Sequence, residues 1–184
     1  MITKDIDSIL LEIRQVFSAV SDNQVDELIK VLIEAHTIVA IGAGRVGMMT
    51  RAFTMRLGHL GIRAYFLGDT TVPHVGKGDV LLTCSGSGET QTIFDLVEIA
   101  KRNGVHVALI TGNRDSRMGR LANTIVEVSA PSKTKGISGF VSIQPMTTLN
   151  EQCLGILFDA IVLRMMEDLQ ETHETMWKRH SNLE

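Results

Sequence analysis

The first 36 residues carry apolar side chains at helical spacing. In residues 6–20 they recur every three or four positions and form one stripe, as in an amphipathic helix; its members are Ile6, Ile9, Leu10, Ile13, Val16 and Phe17. Ser21, followed three residues later by Gln24, predicts a capping box at the start of a second helix that reaches about Ala35. The chain therefore opens with two predicted helices.

Beyond residue 36 the pattern changes to short apolar runs that alternate with helical segments. The runs lack the polar alternation of a half-exposed strand, so they predict strands covered on both faces; they span residues 37–41, 64–67, 79–83, 105–110 and 124–128. Helical patterns between them cover residues 48–59, 90–102 and 116–122. This alternation predicts a three-layer α/β/α fold with a five-stranded parallel sheet between helices.

The last third of the chain begins with a polar segment, residues 129–144, that is long for a connection inside a compact domain. Such segments are often lids or binding loops. After Pro145, whose fixed φ suits the first helical position, an apolar helix is expected to reach about Leu169. The charged tail contains an apolar pair, Met176 and Trp177, which predicts that the tail docks on a partner, expected to be another copy of the chain.

The chain shows no internal repeat and no linker, so its 184 residues predict one domain. Within it we distinguish the N-terminal helices, the sheet with its helices, and the C-terminal helix with its tail, in residues 1–36, 37–128 and 145–184.

Composition and charge narrow the function classes. The chain is 44% hydrophobic and 21% charged, with a net charge of −3 and no basic cluster larger than Lys178-Arg179, which argues against nucleic acid as a partner. Acidic residues stand where a signal peptide needs an apolar core, and no apolar run approaches the ~18 residues of a membrane span. Cys84 and Cys153 stand far apart in the sequence, as in proteins of a reducing compartment. We expect a cytoplasmic protein without a membrane partner.

Two glycine-rich loops follow predicted strands. The first, GAGRVG at residues 42–47, matches the dinucleotide-binding pattern, and Asp69 after the second strand could serve as its ribose-binding acid. The two preceding helices and the short chain left for a substrate domain weaken this interpretation. The first loop alone therefore does not decide between ligands.

The second loop, SGSGET at residues 85–90, indicates a phosphate ligand more strongly. A loop that opens a helix at the carboxyl end of a strand offers unpaired backbone N–H groups and a positive dipole end. Gly86 and Gly88 allow the backbone to approach the ligand closely, and three hydroxyl groups can wrap a monophosphate; they belong to Ser85, Ser87 and Thr90. The alternative is that these hydroxyls only cap the helix that follows.

GAGRVG followed by SGSGET resembles the SIS (sugar isomerase) domain, a flavodoxin-like fold that binds phosphosugars. Four further segments resemble the 6-phospho-3-hexuloisomerase family, namely MRLGHLG, GDTTVP, IQPMTTLNEQ and ETMWKRHSNLE at residues 55–61, 68–73, 143–152 and 174–184. The resemblance implies interconversion of arabino-3-hexulose 6-phosphate and fructose 6-phosphate, downstream of formaldehyde fixation, without metal or coenzyme. It also implies self-association into homotetramers.

Moving a carbonyl group from C3 to C2 of a sugar needs a base and a donor for the developing oxyanion. Glu151, in the first turns of the long C-terminal helix, is the candidate base, and the alternative is that it only complements the helix dipole. The resemblance adds His59 and His180 as catalytic candidates, although either could be structural. Gly44 and Arg45 of the first loop are expected to contact substrate, since a guanidinium group binds phosphate or sugar hydroxyls.

The first loop departs from its relatives at one position. Val46 stands where many family members have serine, so it cannot donate a hydrogen bond to the ligand. Either the phosphate relies on the second loop alone, or the substrate sits differently.

Three alternative functions stay open at this point. The protein could isomerise another phosphosugar, such as a pentose phosphate, or it could be a dinucleotide enzyme. It could also be a non-catalytic phosphosugar sensor, which would have no need of Glu151.

Overall fold

A computed structural model of the protein describes residues 1–131 and 140–183. Its strands are β1 (Ile38–Gly42), β2 (Ala64–Phe66), β3 (Val80–Cys84), β4 (His106–Thr111) and β5 (Thr124–Glu127). Its helices are α1 (Ile2–Phe17), α2 (Asp22–Glu34), α3 (Gly44–His59), α4 (Gln91–Arg102), α5 (Arg117–Leu121), α6 (Thr148–Asp168) and α7 (His173–Trp177). All five predicted strands and the predicted helices are present, with ends shifted by a few residues.

The sheet in the described part of the chain has five strands in the order β2-β1-β3-β4-β5, and every neighbouring pair is parallel. In this flavodoxin-like order the chain leaves β1 towards one edge and then crosses to the other side of β1 at β3. Ile38 of β1 accordingly pairs with Ala64 on one side and with Val80 on the other. The predicted five-stranded parallel sheet is confirmed.

Alternate residues of each strand enter two different hydrophobic cores, because successive side chains of a strand point to opposite faces. Ile38 and Ala40 face the core formed with α1, α2, α3 and α6, where Phe53 and Phe158 stack at 4.1 Å between ring centroids. Val39 of the same strand faces the smaller core formed with α4 and α5. The three-layer arrangement is thus confirmed.

The first two helices differ from prediction in their details. Ile13 and Val16 of α1 are buried, whereas Ile6 and Leu10 of the same apolar stripe are about half exposed. Ser21 is the N-cap of α2, but its side chain makes no capping hydrogen bond, so the predicted capping box is wrong. The side chain of its partner in that box, Gln24, instead accepts a hydrogen bond of 2.9 Å from the backbone N–H of Glu127 and ties α2 to β5.

The long C-terminal helix begins later than predicted. Its N-cap is Thr147, so Pro145 precedes the helix and is not its first residue. Met146 between them has a φ of 57°, which turns the chain into the helix. The C-cap at Leu169 agrees with the prediction. Most of the predicted lid, residues 132–139 of the segment 129–144, lies outside the described residues.

Among the helices that the structure describes, none has the length and apolar character needed to cross a membrane.

The first glycine loop is the first turn of a helix rather than a separate connection. We predicted this helix from residue 48, but α3 begins at Gly44, which has a φ of 58°. A Cβ atom added at Gly47 would lie 2.4 Å from the carbonyl oxygen of Gly42. The helix can therefore contact the end of β1 only because residue 47 has no side chain.

Gly47→Ala should destabilise the protein by about 1–3 kcal/mol, because the added methyl group forces α3 away from β1. Gly58→Ala is the matched control in the same helix, since a Cβ atom there meets nothing within 4 Å. That variant should be neutral or more stable by up to about 1 kcal/mol, the helix propensity gained. Urea denaturation measures both, and equal stability of the two variants would contradict this account of the α3–β1 contact.

Candidate active site

A cavity of about 480 Å³ lies beyond the carboxyl ends of β1 and β3. These two strands flank the point where the strand order reverses, which is where α/β sheets of this order bind ligands. The walls come from the start of α3, the second glycine loop and the start of α6. The lining residues are Ala43, Gly44, Arg45, Val46, Cys84, Ser85, Gly86, Ser87, Thr90, Ile93, Met146, Thr147, Thr148, Asn150 and Glu151.

Glu151 is the buried carboxylate of this cavity, with 8% of its surface exposed. Thr147 Oγ1 donates a hydrogen bond of 2.7 Å to its Oε1, one helical turn away. Arg45 Nη1 lies 2.7 Å from Oε2 and also donates to Thr148 Oγ1 at 3.2 Å. Within the described residues Oε2 accepts no well-aligned hydrogen bond, so its contact with Arg45 is an ion pair.

The second glycine loop presents hydrogen-bond donors to the same cavity. Ser85 Oγ accepts a hydrogen bond of 3.1 Å from the Gly88 amide, and Ser87 Oγ accepts one of 3.2 Å from the Glu89 amide. Each hydroxyl therefore keeps its own hydrogen to donate. The amides of Gly86, Ser87 and Thr90 donate to no acceptor in the part of the chain that the structure describes. With the start of α4 beside them, these groups suit a phosphate.

Contacts with α5 hold the loop in this shape. The Glu89 carboxylate accepts hydrogen bonds from the backbone N and from Nε of Arg117, at 2.8 and 2.7 Å. These bonds lower the pKa of Glu89 below its ordinary value. The guanidinium of Arg117 also lies over the ring of Phe94, with Cζ 4.4 Å from the ring centroid.

Gly88 supports the loop from behind and does not line the cavity. Its φ of 66° is unfavourable for other residues, and an added Cβ atom would lie 2.0 Å from Ser116 Oγ. The loop therefore needs Gly88 for its conformation.

Val46 forms an apolar part of the cavity wall and packs partly against the larger core. The backbone amides and hydroxyls that suit an anion lie in the second glycine loop, and Arg45, next to Val46, adds a guanidinium group to the cavity.

The two histidines predicted as catalytic lie away from this cavity. Arg45 and His59 are 14 residues apart on α3, which corresponds to about 21 Å along the helix. The His59 and His180 rings have centroids 5.1 Å apart, and the His180 ring stacks on Trp177 at 5.0 Å. The structure therefore brings Glu151 together with both loops and places the histidines in a separate cluster.

Arg179 fixes the tail beside this histidine cluster. Its guanidinium donates to the His59 carbonyl oxygen at 3.0 Å and makes two hydrogen bonds of 2.8 Å to Glu171. Arg179 and the neighbouring hydroxyl of Thr175 lower the pKa of Glu171 to about 2. The tail thus docks on its own chain, while 65% of the Trp177 surface stays exposed.

Sequence reasoning missed three polar groups of the site, Thr147, Thr148 and Asn150. Asn150 is 5% exposed, and its Oδ1 would lie 3.0 Å from a Cβ atom added at Gly86. These residues belong to the IQPMTTLNEQ segment. On a helix, the four-residue spacing from Thr147 to Glu151 could have indicated the contact between those two side chains.

Asp69 and a second cavity lie outside this site. Asp69, the acid of the dinucleotide interpretation, pairs with Arg51 at 2.9 Å and does not line the cavity. A cavity of about 450 Å³ at the opposite end of the sheet is lined by Lys77, Lys101 and His106, and none of the predicted site residues lies in it. In residues 1–131 and 140–183, no group of three or more His, Cys, Asp or Glu side chains could hold a metal ion.

Comparison with known proteins gives consistent matches. The SIS domain family matches residues 31–154. The 3-hexulose-6-phosphate isomerase of Bacillus subtilis is 35% identical over 182 residues, covering 99% of this chain and 98% of the relative. The enzyme of the same name from Mycobacterium gastri is 34% identical and covers 100% of this chain and 92% of the relative.

A solved structure of a hypothetical protein from Methanococcus jannaschii, from which a function of 3-hexulose-6-phosphate isomerase was inferred, has a TM-score of 0.85. It is 29% identical and covers 98% of this chain and 99% of its own. The chain therefore belongs to the SIS domain family and, within it, to the group of 3-hexulose-6-phosphate isomerases.

Proposed function

We propose that this protein is a 3-hexulose-6-phosphate isomerase, which interconverts arabino-3-hexulose 6-phosphate and fructose 6-phosphate. The observation that carries the proposal is the position of Glu151, a buried carboxylate paired with Arg45, in the same cavity as a loop of anion donors. The names of the relatives identify the sugar, and the cavity supplies the two functions that the reaction needs, phosphate binding and a base.

The phosphate group binds to the second glycine loop. The amides of Gly86, Ser87 and Thr90 and the hydroxyls of the same loop are its donors, and the start of α4 adds a favourable dipole. Arg117 holds Glu89 and so keeps the loop in its binding shape before the substrate arrives. Binding at this position fixes one end of the sugar and extends the other towards Glu151.

Glu151 acts as the base. It takes the proton from C2, and the charge that develops on the C3 carbonyl oxygen is neutralised by protonation to give an enediol. Loss of the C2 hydroxyl proton and return of a proton to C3 complete the conversion to the 2-ketose. Thr147 holds one carboxylate oxygen by a hydrogen bond, and the other is freed for the substrate when Arg45 turns away from it towards the sugar.

Arg45 stabilises the oxygen that becomes negative. Its guanidinium lies beside Glu151 and half of its side chain is exposed, so it can turn towards a bound sugar without leaving the cavity. A cation beside a developing oxyanion is among the strongest sources of rate enhancement.

Self-association supplies the two histidines. His59 and His180 lie at the far end of α3 from their own chain's Glu151, but another copy can bring its histidine cluster to this cavity. Exposed apolar side chains on α3, α6 and α7 favour contacts between copies of the chain; they include Met48, Met55, Ile156, Leu163 and Trp177. We place the protein in a homotetramer in which each cavity receives an imidazole from a neighbour.

The cysteines support a compartment for the protein, and its net charge bears on its partners. Cys84 and Cys153 are both free and buried, as in proteins of a reducing compartment, which supports a cytoplasmic location. The net charge of −3 does not favour nucleic acid as a partner.

Glu151→Gln should lower kcat by about 10²–10⁴-fold, because it removes the base and keeps the shape of the side chain. Binding of fructose 6-phosphate, measured by calorimetry, should survive, since the phosphate loop is untouched. The assay is coupled detection of fructose 6-phosphate formed from arabino-3-hexulose 6-phosphate. Glu167→Gln, an exposed acid on the same helix, is the control and should keep parental activity. A near-parental kcat for Glu151→Gln would show that the base lies elsewhere.

A mixing experiment tests the donated histidine. Glu151→Gln and His180→Ala subunits, each nearly inactive alone, are combined in equal amounts under conditions that allow exchange. About a quarter of the sites in random assemblies then pair an intact Glu151 with an intact neighbouring His180, so about a quarter of parental activity should return.

The matched control mixes Glu151→Gln subunits with differently tagged Glu151→Gln subunits, which must stay inactive. If exchange is demonstrated and no activity returns, His180 does not serve a neighbour's cavity.

A further inference from the structure

Glu12 is a buried carboxylate outside the cavity, on a helix that lines none of it. The residue is 9% exposed and belongs to the inner side of α1. Its Oε1 accepts a hydrogen bond of 2.7 Å from the backbone N–H of Ile143. Its Oε2 accepts two hydrogen bonds of 2.9 Å, from Ser142 Oγ and from Gln144 Nε2. Three consecutive residues are thus held by one side chain that lies about 130 positions away in the sequence.

These hydrogen bonds keep the carboxylate charged in a buried position. Burial by itself raises the pKa of Glu12, but the hydrogen bonds from Gln144, Ile143 and Ser142 together bring it below its ordinary value. Hydrogen bonds to a charged acceptor are stronger than those between neutral groups. The contact with residues 142–144 is therefore a firm anchor at neutral pH.

The anchored segment leads directly into the catalytic part of α6. Pro145 follows Gln144, and its carbonyl oxygen accepts hydrogen bonds from Thr148 Oγ1 at 2.8 Å and from Thr148 N at 3.2 Å. Thr147 and Glu151 of the cavity come next in this first turn. Hydrogen bonds thus hold the chain at successive points between residues 142–144, which Glu12 binds, and Glu151.

Glu12 also faces α6 itself. Burial and then the charge of Glu12 raise the pKa of Cys153, two residues beyond Glu151, to about 12. Ile13, next to Glu12, and Cys153 belong to the same hydrophobic core, so α1 packs against α6.

We infer that Glu12 is a positioning residue for the isomerase, because it anchors residues 142–144 and so fixes the start of α6 that carries Thr147 and Glu151. This inference rests on the proposed function of Glu151. Glu12 touches neither substrate nor the reacting atoms, and its effect on the reaction passes through the geometry of the base. The phosphate loop is held in shape by Arg117 and not by Glu12.

Glu12→Gln is the test variant, since it preserves the size of the side chain but places an amide donor among three donors. We expect kcat to fall by about 10²-fold, as for a displacement of the order of 1 Å at a reacting group, with little change in KM. Asp7→Asn, an exposed acid of the same helix, is the control and should change neither constant.

Two further measurements separate positioning from general loss of structure. Hydrogen–deuterium exchange of the full-length protein should quicken in residues 140–151 of Glu12→Gln and stay unchanged in α4. In a double variant, Glu12→Gln should lower kcat little beyond Glu151→Gln alone, because both changes remove the same contribution. Multiplied losses would instead show that Glu12 acts independently of the base and would overturn the inference.

Hydrogen–deuterium exchange tests the anchoring role of Glu12 even if the proposed function is wrong. A parental protein without isomerase activity would contradict the proposed function. Unchanged exchange in residues 140–151 of Glu12→Gln would overturn the anchor whatever the activity.

Discussion

Parallel pairing of β1 with β3 is the constraint on which the site depends. Gly42 at the end of β1 lies in register with Cys84 at the end of β3, so the loops that follow both strands emerge side by side. One loop becomes the first turn of α3 and carries Arg45, and the other carries the anion donors. Because the chain crosses over at this point, a crevice is left between them, and α6 closes it with Glu151.

Two buried carboxylates of this chain show how hydrogen bonding separates an anchor from a reactive group. Glu12 receives three hydrogen bonds and has no open oxygen for chemistry. Glu151 lines a cavity and receives one hydrogen bond on one oxygen and an ion pair with the half-exposed Arg45 on the other. Burial is similar for both, so the difference lies in how many donors surround each group. The second carboxylate retains the ability to take a proton.

Much of this architecture could be predicted from sequence, because local signals and tertiary structure agree. Apolar runs without polar alternation are typical of strands covered on both faces, and all five strands were found, although the edge strands β2 and β5 are only partly buried. Ser21 illustrates the limit: its capping box failed because Gln24 found a partner in β5, far along the chain. Pro145 failed similarly, since a turn at Met146 delays the helix. Local patterns do not contain such long-range partners.

Some residues of the site could likewise be predicted from the sequence, and others could not. Glu151 and the phosphate loop stand in segments with evident chemical character, and the structure brings them into one cavity. Gly88 lies in a glycine-rich loop that is typical of ligand binding. The position requires glycine, however, because of its positive φ and the closeness of Ser116. The role of Glu12 could not have been predicted, because a single acid in an amphipathic helix resembles any solvated charge. Only the fold reveals that residues 142–144 cover it.

The central claim is that Glu151 moves a proton through an enediol in this cavity, and isomerisation in deuterium oxide tests it most directly. Fructose 6-phosphate formed from arabino-3-hexulose 6-phosphate is analysed by NMR for deuterium at C3, the carbon that receives the proton. The account predicts deuterium at C3 with the parental protein, and a loss of both turnover and deuterium incorporation in Glu151→Gln. Deuterium incorporation at the parental rate in Glu151→Gln would contradict it.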